Sequence, residues 1–260
     1  MRIIILGQPR TGTTALFARC CAAWPAAQHV FEPQSYIATS KPCDTDVIVK
    51  MLVGALPGQK PAYFWACPDS THVICLCRDP RDQLVSAILF LLHWGTPVSP
   101  SLALTQPGYW KMCLTYLQAK EHQPQAYPLW PLFETLFTRR FHCDVPALHA
   151  WYVNNQEHSI TTIRLMCAWP HGHLIRYEDL MREGLTLHEA ASHLGRPLPA
   201  ALVLGQYRSV FRAGTAGAWR HWFTPEDVTY FAPLITPTLT AWNYDLAWTL
   251  AETPFINPET

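Results

Sequence analysis

The chain opens MRIIILGQPRTGTTALFARCCAAW, and no other stretch constrains its fold as tightly. Residues 2–6 are almost wholly apolar without polar alternation, the pattern of a strand buried on both faces. Gly7 and Gly12 follow at G-x-x-x-x-G spacing. Residues 13–24 are rich in Ala and Leu behind a Thr cap and read as a helix. A strand that needs cover on both faces, turned by glycine into a helix, demands a parallel sheet with helices packed against it.

The rest of the chain repeats that alternation. Residues 29–31, 47–49 and 71–77 are short apolar runs that read as strands, THVICLC at 71–77 being the clearest. Residues 81–93 form a helix with an almost wholly apolar body; 174–177 read as a strand and 186–194 as a helix. The fold class is therefore α/β, a P-loop-type parallel sheet flanked by helices. The stretch from Trp94 to about Asp144 is dense in Pro, Trp and Tyr and reads as a helical and loop cap rather than a linker. At 260 residues, 49% of them hydrophobic, the chain is long enough to bury one large core, and a single domain over 1–260 is expected.

Formal net charge is zero, which removes any whole-chain electrostatic case for nucleic acid or an acidic membrane as partner. The nine cysteines are scattered, with no C-x-x-C pair. That odd count reads as reduced thiols in a cytoplasmic protein without a metal site. The opening apolar run is too short for a signal peptide or a membrane span.

The opening loop lacks the lysine that a nucleotide triphosphatase places after the second glycine; Thr13 and Thr14 stand there instead. Backbone N–H groups around Gly12 and the following helix N-terminus still make an anion cradle. Thr13 and Thr14 add hydroxyl donors, and Arg10 supplies positive charge. Taken alone, the spacing fits a plain glycine turn equally well. A second motif favours the cradle. CRDPRDQLVSAILF puts Arg78 at the carboxyl end of the 71–77 strand, where open α/β sheets bind ligands, and Ser86 on the next helix. An arginine fork and a hydroxyl suit a second phosphate group. The competing reading makes Arg78, Asp79, Arg81 and Asp82 a solvated charge cluster at a helix start.

These motifs carry a family resemblance. GQPRTGTT is similar to the 5′-phosphosulfate loop of sulfotransferases that use 3′-phosphoadenosine-5′-phosphosulfate (PAPS), and RDPRDQLVSA resembles their 3′-phosphate motif. LIRYEDL resembles their Tyr-Glu-Asp segment, and FRAGTAGAWRHWFT the late loop that closes over the cofactor. The resemblance implies that Arg10, Thr11, Gly12, Thr13 and Thr14 hold the 5′-phosphosulfate. It assigns the 3′-phosphate to Arg78, Ser86, Arg212 and Gly214, and sets Tyr177 near the adenine. It implies PAPS as cofactor, 3′-phosphoadenosine-5′-phosphate (PAP) as product, and no metal. Residues 94–170 would form the variable acceptor-side cap.

The sequence also departs from that family. Ala15 stands where many cytosolic members carry an aromatic residue, and Ala213 where they carry lysine. VIVKMLVGALP aligns with a segment that has lysine, one residue, then a catalytic histidine; Lys50 is present but Leu52 takes the histidine position. The base is therefore sought elsewhere. Glu32 in HVFEP is the candidate, at the end of a strand. A comparable glutamate is the base in the tyrosylprotein branch, and Phe-Glu-Pro occurs in carbohydrate sulfotransferases. A salt-bridging or cap-like role for Glu32 is the alternative, with His29, His72 and His93 as rival bases. Arg10 and Lys50 would stabilise charge on the bridging oxygen.

Two functions from different classes remain at this point. One is a PAPS-dependent sulfotransferase acting on a hydroxyl or amine of a small organic acceptor, with a carbohydrate as the next choice. The other is a PAPS- or PAP-binding module without turnover. A P-loop kinase with a displaced lysine is a third reading, against which Thr13 argues.

Overall fold

In the computed structural model, residues 1–33, 46–54, 71–94, 107–182, 185–201 and 216–256 are described. In chain order the elements begin β1 (Arg2–Gly7), α1 (Thr13–Ala23), β2 (Gln28–Phe31), β3 (Val47–Leu52), β4 (Thr71–Cys77) and α2 (Pro80–Trp94). They continue α3 (Pro107–His122), α4 (Trp130–Phe141), α5 (Val145–Cys167), β5 (Gly172–Arg176) and α6 (Tyr177–Met181). The last are α7 (Leu185–Leu194), α8 (Trp219–Trp222) and α9 (Pro225–Ala241). Two compact units result: Met1–Arg78 with Glu157–Phe211, and Asp79–Gln156 with Arg212–Thr260.

The first unit holds the sheet, in the order β2-β3-β1-β4-β5 with every pairing parallel. Its central strand is the apolar run that opens the sequence; Ile3, Ile5 and Leu6 are fully buried and Ile4 nearly so. One face packs Ile3, Ile5, Ile48, Ile74 and Ile175 against Leu16 and Phe17 of α1, Leu180 of α6 and Ala190 and Leu194 of α7. Each such aliphatic side chain contributes roughly 1.5–3 kcal/mol by leaving water. On β4, Cys75 turns its thiol to the carbonyl of Ile163, in the part of α5 that belongs to this unit. From β1 the chain passes to β2 and β3 on one side and then to β4 on the other, so the loop after β1 lies at the switch point where such sheets bind ligands.

Several boundaries differ from the sequence reading, each for a local reason. The first helix has no Thr cap: its N-cap is Gly12, in the left-handed region at φ 88°, without a side-chain cap hydrogen bond. β3 runs on to Leu52 because it pairs with the whole of β1, Arg2 opposite Val47 through Gly7 opposite Leu52. The strand read over 174–177 stops at Arg176, and Tyr177 begins α6. Glu178 and Asp179 in that first turn favour a helix start through the helix dipole.

The second unit is helical. Leu84, Ile88 and Leu92 of α2, Phe133 and Phe137 of α4, Leu148 and Tyr152 of α5 and Phe231 and Ile235 of α9 share one core. The aromatic density of the middle sequence is largely this core; Phe133 and Phe231, for instance, meet edge to face at 5.4 Å. The RDPRD charge run is not solvated. Arg81 is 2% exposed, forks onto Asp79 at 2.7–3.2 Å, donates to the carbonyls of Ala247 and Asp245, and lies 4.1 Å over the Trp219 ring. Asp82 accepts the amides of Gly217 and Trp219 at 2.6 and 2.8 Å.

Candidate functional site

The glycine loop is shaped by close approach. A Cβ on Gly7 would stand 2.6 Å from the Thr11 hydroxyl and 2.9 Å from the Leu76 carbonyl. One on Gly12 would stand 2.5 Å from Cδ2 of Tyr177, and its φ suits glycine alone. Thr11 directs both its hydroxyl and its amide to the Gln8 carbonyl, at 2.7 and 3.4 Å, and so closes the turn. Arg10, at the tip, also has a positive φ of 70°. No side chain caps α1, so the first-turn amides of Thr13, Thr14 and Ala15 have no intrahelical partner and are the kind of donors an anion accepts from at a helix start.

Arg78 and Tyr177 stand beside that loop. Arg78, 6% exposed, lies with its guanidinium 4.2 Å over the Tyr177 ring and donates Nη1 to the Arg10 carbonyl at 3.0 Å. Its Nε is buried without a hydrogen-bond partner. A buried, unsatisfied guanidinium donor is costly unless an acceptor fills it, and a phosphate oxygen is the acceptor such a fork fits best.

Glu32, Lys50 and Arg10 form a second cluster in the same unit. The register sets Phe31 opposite Lys50, so Glu32 emerges one residue beyond that pair with φ 45° and its amide bonded to the Lys50 carbonyl at 3.0 Å. Lys50 Nζ donates to Glu32 Oε1 and lies 4.1 Å from the centre of the Phe31 ring. Burial lowers the Lys50 pKa, Glu32 works against that shift, and nearby Arg10 adds to it. Non-glycine residues at positive φ are uncommon, and both Arg10 and Glu32 are held so here.

The other sequence candidates fall as follows. Ser86 is on α2 in the second unit and is 8% exposed. Arg212, Ala213 and Gly214 lie outside the described residues. Leu52 pairs with Gly7 at the end of β3, and Ala15 is buried in α1. Of the rival bases, His29 Nε2 is bonded to the Trp24 carbonyl at 2.9 Å, early in β2. His72 pairs with Ile3, at the end of the sheet opposite the loop. The side chain of His93 is outside what is described. Among the described residues, no group of three or more His, Cys, Asp or Glu is placed to hold a metal ion, and no helix is long and apolar enough to cross a membrane. Sequence reasoning missed the buried Asp79–Arg81 fork and the amide-binding role of Asp82; the short spacing of acid and base in RDPRD was the available signal.

No protein-family model matches the sequence, and no curated protein matches it. Solved structures do. Mouse sulfotransferase SULT7A1, complexed with PAP, matches 92% of this chain and 83% of its own at 16% sequence identity, with a TM-score of 0.51. This chain has the sulfotransferase fold. Retinol dehydratase in complex with androsterone and PAP matches 95% of this chain and 82% of its own at 15% identity, TM-score 0.47. Its complex with retinol and PAP matches 95% and 83%, at 15% identity and TM-score 0.46. Within the sulfotransferase fold seen here, the glycine loop, Arg78 and Tyr177 meet at the carboxyl ends of β1, β4 and β5. In the Glu32–Lys50 pair, Glu32 follows the end of β2 and Lys50 lies two residues before the end of β3.

Proposed function

We propose that the protein transfers a sulfo group from PAPS to a hydroxyl or amine of a small organic acceptor. The observation that carries this reading is the buried, unpartnered Nε of Arg78 beside a glycine loop whose Gly12 has no room for a Cβ against Tyr177. A nucleotide with two separate phosphate groups suits the two features together. When bound, the cofactor supplies an activated sulfo group on a phosphate leaving group. Gly12 and the first-turn amides of α1, with Arg10 and the hydroxyls of Thr13 and Thr14, hold the 5′-phosphosulfate over a turn that Thr11 closes. Arg78 takes the 3′-phosphate; Ser86, Arg212 and Gly214 join that set by sequence resemblance alone. Tyr177 orients Arg78 and lies near the adenine.

Glu32 takes the acceptor's proton, and Lys50 fixes the direction of that carboxylate. Lys50 and Arg10 would supply positive charge to the bridging oxygen of the bound cofactor, Lys50 from a buried position that lowers its own pKa. Neutral net charge favours a small uncharged acceptor over a polyanionic glycan. The seven described cysteines are all free thiols, which supports a reducing, cytoplasmic setting.

A second reading, a nucleotide-binding module without turnover, draws on one observation: the Glu32 carboxylate is already engaged by Lys50. Incubation with PAPS and a panel of small hydroxyl and amine compounds separates the two. Release of PAP matched by a product carrying an added sulfo group supports the transferase. Saturable PAP binding with no product from any acceptor supports the module, and failure to bind PAP overturns both.

A further inference from the structure

We propose that Cys75 and Cys167 are an oxidation-sensitive pair that closes to a disulfide, tying the strand that leads to Arg78 to the end of α5. The geometry begins with the Cys75 thiol, buried on β4, whose sulfur lies 3.9 Å from the Ile163 carbonyl oxygen. In an α-helix that carbonyl is the partner of the amide four residues on, which here belongs to Cys167. Helical side chains lean back toward the N-terminus, so the Cys167 thiol tilts over the Ile163 turn and toward Cys75. The two thiols are close enough to perturb each other's ionisation, in opposite directions.

The pair is chemically asymmetric. Cys75 is fully buried, and its bond to Cys167, reinforced by burial, holds it protonated. Cys167 is half-buried, and the hydrogen bond from Cys75 favours its thiolate. A partly exposed thiol of lowered pKa backed by a second thiol is the arrangement of a peroxide-sensitive cysteine with a resolving partner.

The steps balance with a hydroperoxide as oxidant. The Cys167 sulfur attacks one peroxide oxygen, the O–O bond breaks, and water leaves as Cys167 becomes a sulfenic acid. The Cys75 sulfur then attacks the Cys167 sulfur, the S–OH bond breaks, and the hydroxide leaves as water with the Cys75 proton. Two thiols lose two electrons and one hydrogen peroxide becomes two waters. The sulfurs must close to a bond of about 2 Å. The helix end cannot simply slide to do so. A Cβ on Gly172 would stand 2.4 Å from the Met166 carbonyl and 2.6 Å from that of Cys167, so this turn is already packed on the start of β5. β4 must therefore give, three residues before Arg78.

The test treats the reduced full-length protein with hydrogen peroxide under native conditions, alkylates the remaining thiols after denaturation, and maps peptides without reduction. The expected result is a Cys75–Cys167 linked peptide, lighter than its two parts by two hydrogens and released by dithiothreitol. The Cys167→Ser variant should leave Cys75 fully alkylatable after the same treatment. Cys167 oxidised alone with Cys75 still a free thiol would overturn the proposal, as would Cys75 linked to Cys77 or to any other cysteine. Loss of Cys75 alkylation in the Cys167→Ser variant would overturn it too.

Discussion

Arg78 lies over the ring of Tyr177 and at the same time donates to the Arg10 carbonyl, so one side chain joins the end of β4, the glycine loop and the start of α6. If its unpartnered Nε meets the 3′-phosphate, PAP should raise the unfolding temperature far more than AMP does. Arg78→Ala should erase most of that difference, since a charge-assisted hydrogen bond contributes roughly 1.5–3 kcal/mol. Arg78→Lys should restore charge but not the fork, and recover only part of it. Thermal shift with both nucleotides checks this; equal stabilisation of the unaltered protein by both would remove the assignment.

Gly12→Ala tests the cradle. The left-handed conformation at φ 88° costs a non-glycine residue roughly 1–2 kcal/mol, and the new Cβ also meets Tyr177 at 2.5 Å. Stability in urea should fall by more than the conformational cost alone, and PAP binding should be lost. Adding Tyr177→Ala should recover part of the stability by removing the clash, and none of the conformational cost.

The parts of the fold legible in the sequence were those set by local pattern. An apolar run, a glycine turn and an Ala-rich helix need no distant information, and β1, α1 and β4 were found nearly to the residue. Tertiary pairing decided what was missed: β3 is longer than its apolar run because β1 is there to pair with it. In the site, Glu32 and Lys50 were each visible, yet their ion pair depends on the register of β2 on β3, which no spacing encodes. Burial decided the RDPRD run, where charge density suggested solvent and packing made a core network.

That network makes a prediction of its own. Asp82 satisfies the amides of Gly217 and Trp219, so Asp82→Ala leaves two donors unpaired in a region where Asp82 itself is 2% exposed. An unsatisfied buried donor costs about 1–3 kcal/mol. Chemical unfolding should therefore show a loss of at least that size, with Asp82→Asn losing less because it keeps one carbonyl. A solvated charge would instead change stability by no more than about 0.5 kcal/mol.

Acid should weaken the fold through the histidines at the far end of the sheet. His72 and His193 lie 5.4 Å apart, and His193 stacks on His173 at 5.1 Å. Burial, then the His171 imidazole and the N-terminal ammonium, lowers the pKa of His72, and burial likewise outweighs the hydrogen bond from His193 to the His171 carbonyl. As pH falls through the ordinary value of 6.5, the unfolded chain takes up protons that these two folded imidazoles refuse. Stability present above that pH should decline below it until the folded groups also titrate. Urea unfolding across the range should show the slope, and His72→Gln with His193→Gln should flatten it.

The Glu32–Lys50 pair carries the sharpest prediction, because its two members should fail differently. Glu32→Gln keeps the size of the side chain and its hydrogen bond from Lys50 but removes basicity. If Glu32 takes the acceptor's proton, turnover should fall about 10²- to 10⁴-fold. Cofactor affinity should hardly change, because a carboxylate makes no attractive contact with an anion. If Lys50 stabilises the bridging oxygen, Lys50→Ala removes that charge and also frees Glu32, so its loss of turnover should come with altered acceptor dependence. An acceptor of much lower pKa has already given up most of its proton and should rescue Glu32→Gln far more than Lys50→Ala. Rates for both variants across a series of phenols check this. Near-normal turnover of Glu32→Gln would move the base to another residue; His29, tied to the Trp24 carbonyl early in β2, and His72, at the opposite end of the sheet, are poorly placed to take it.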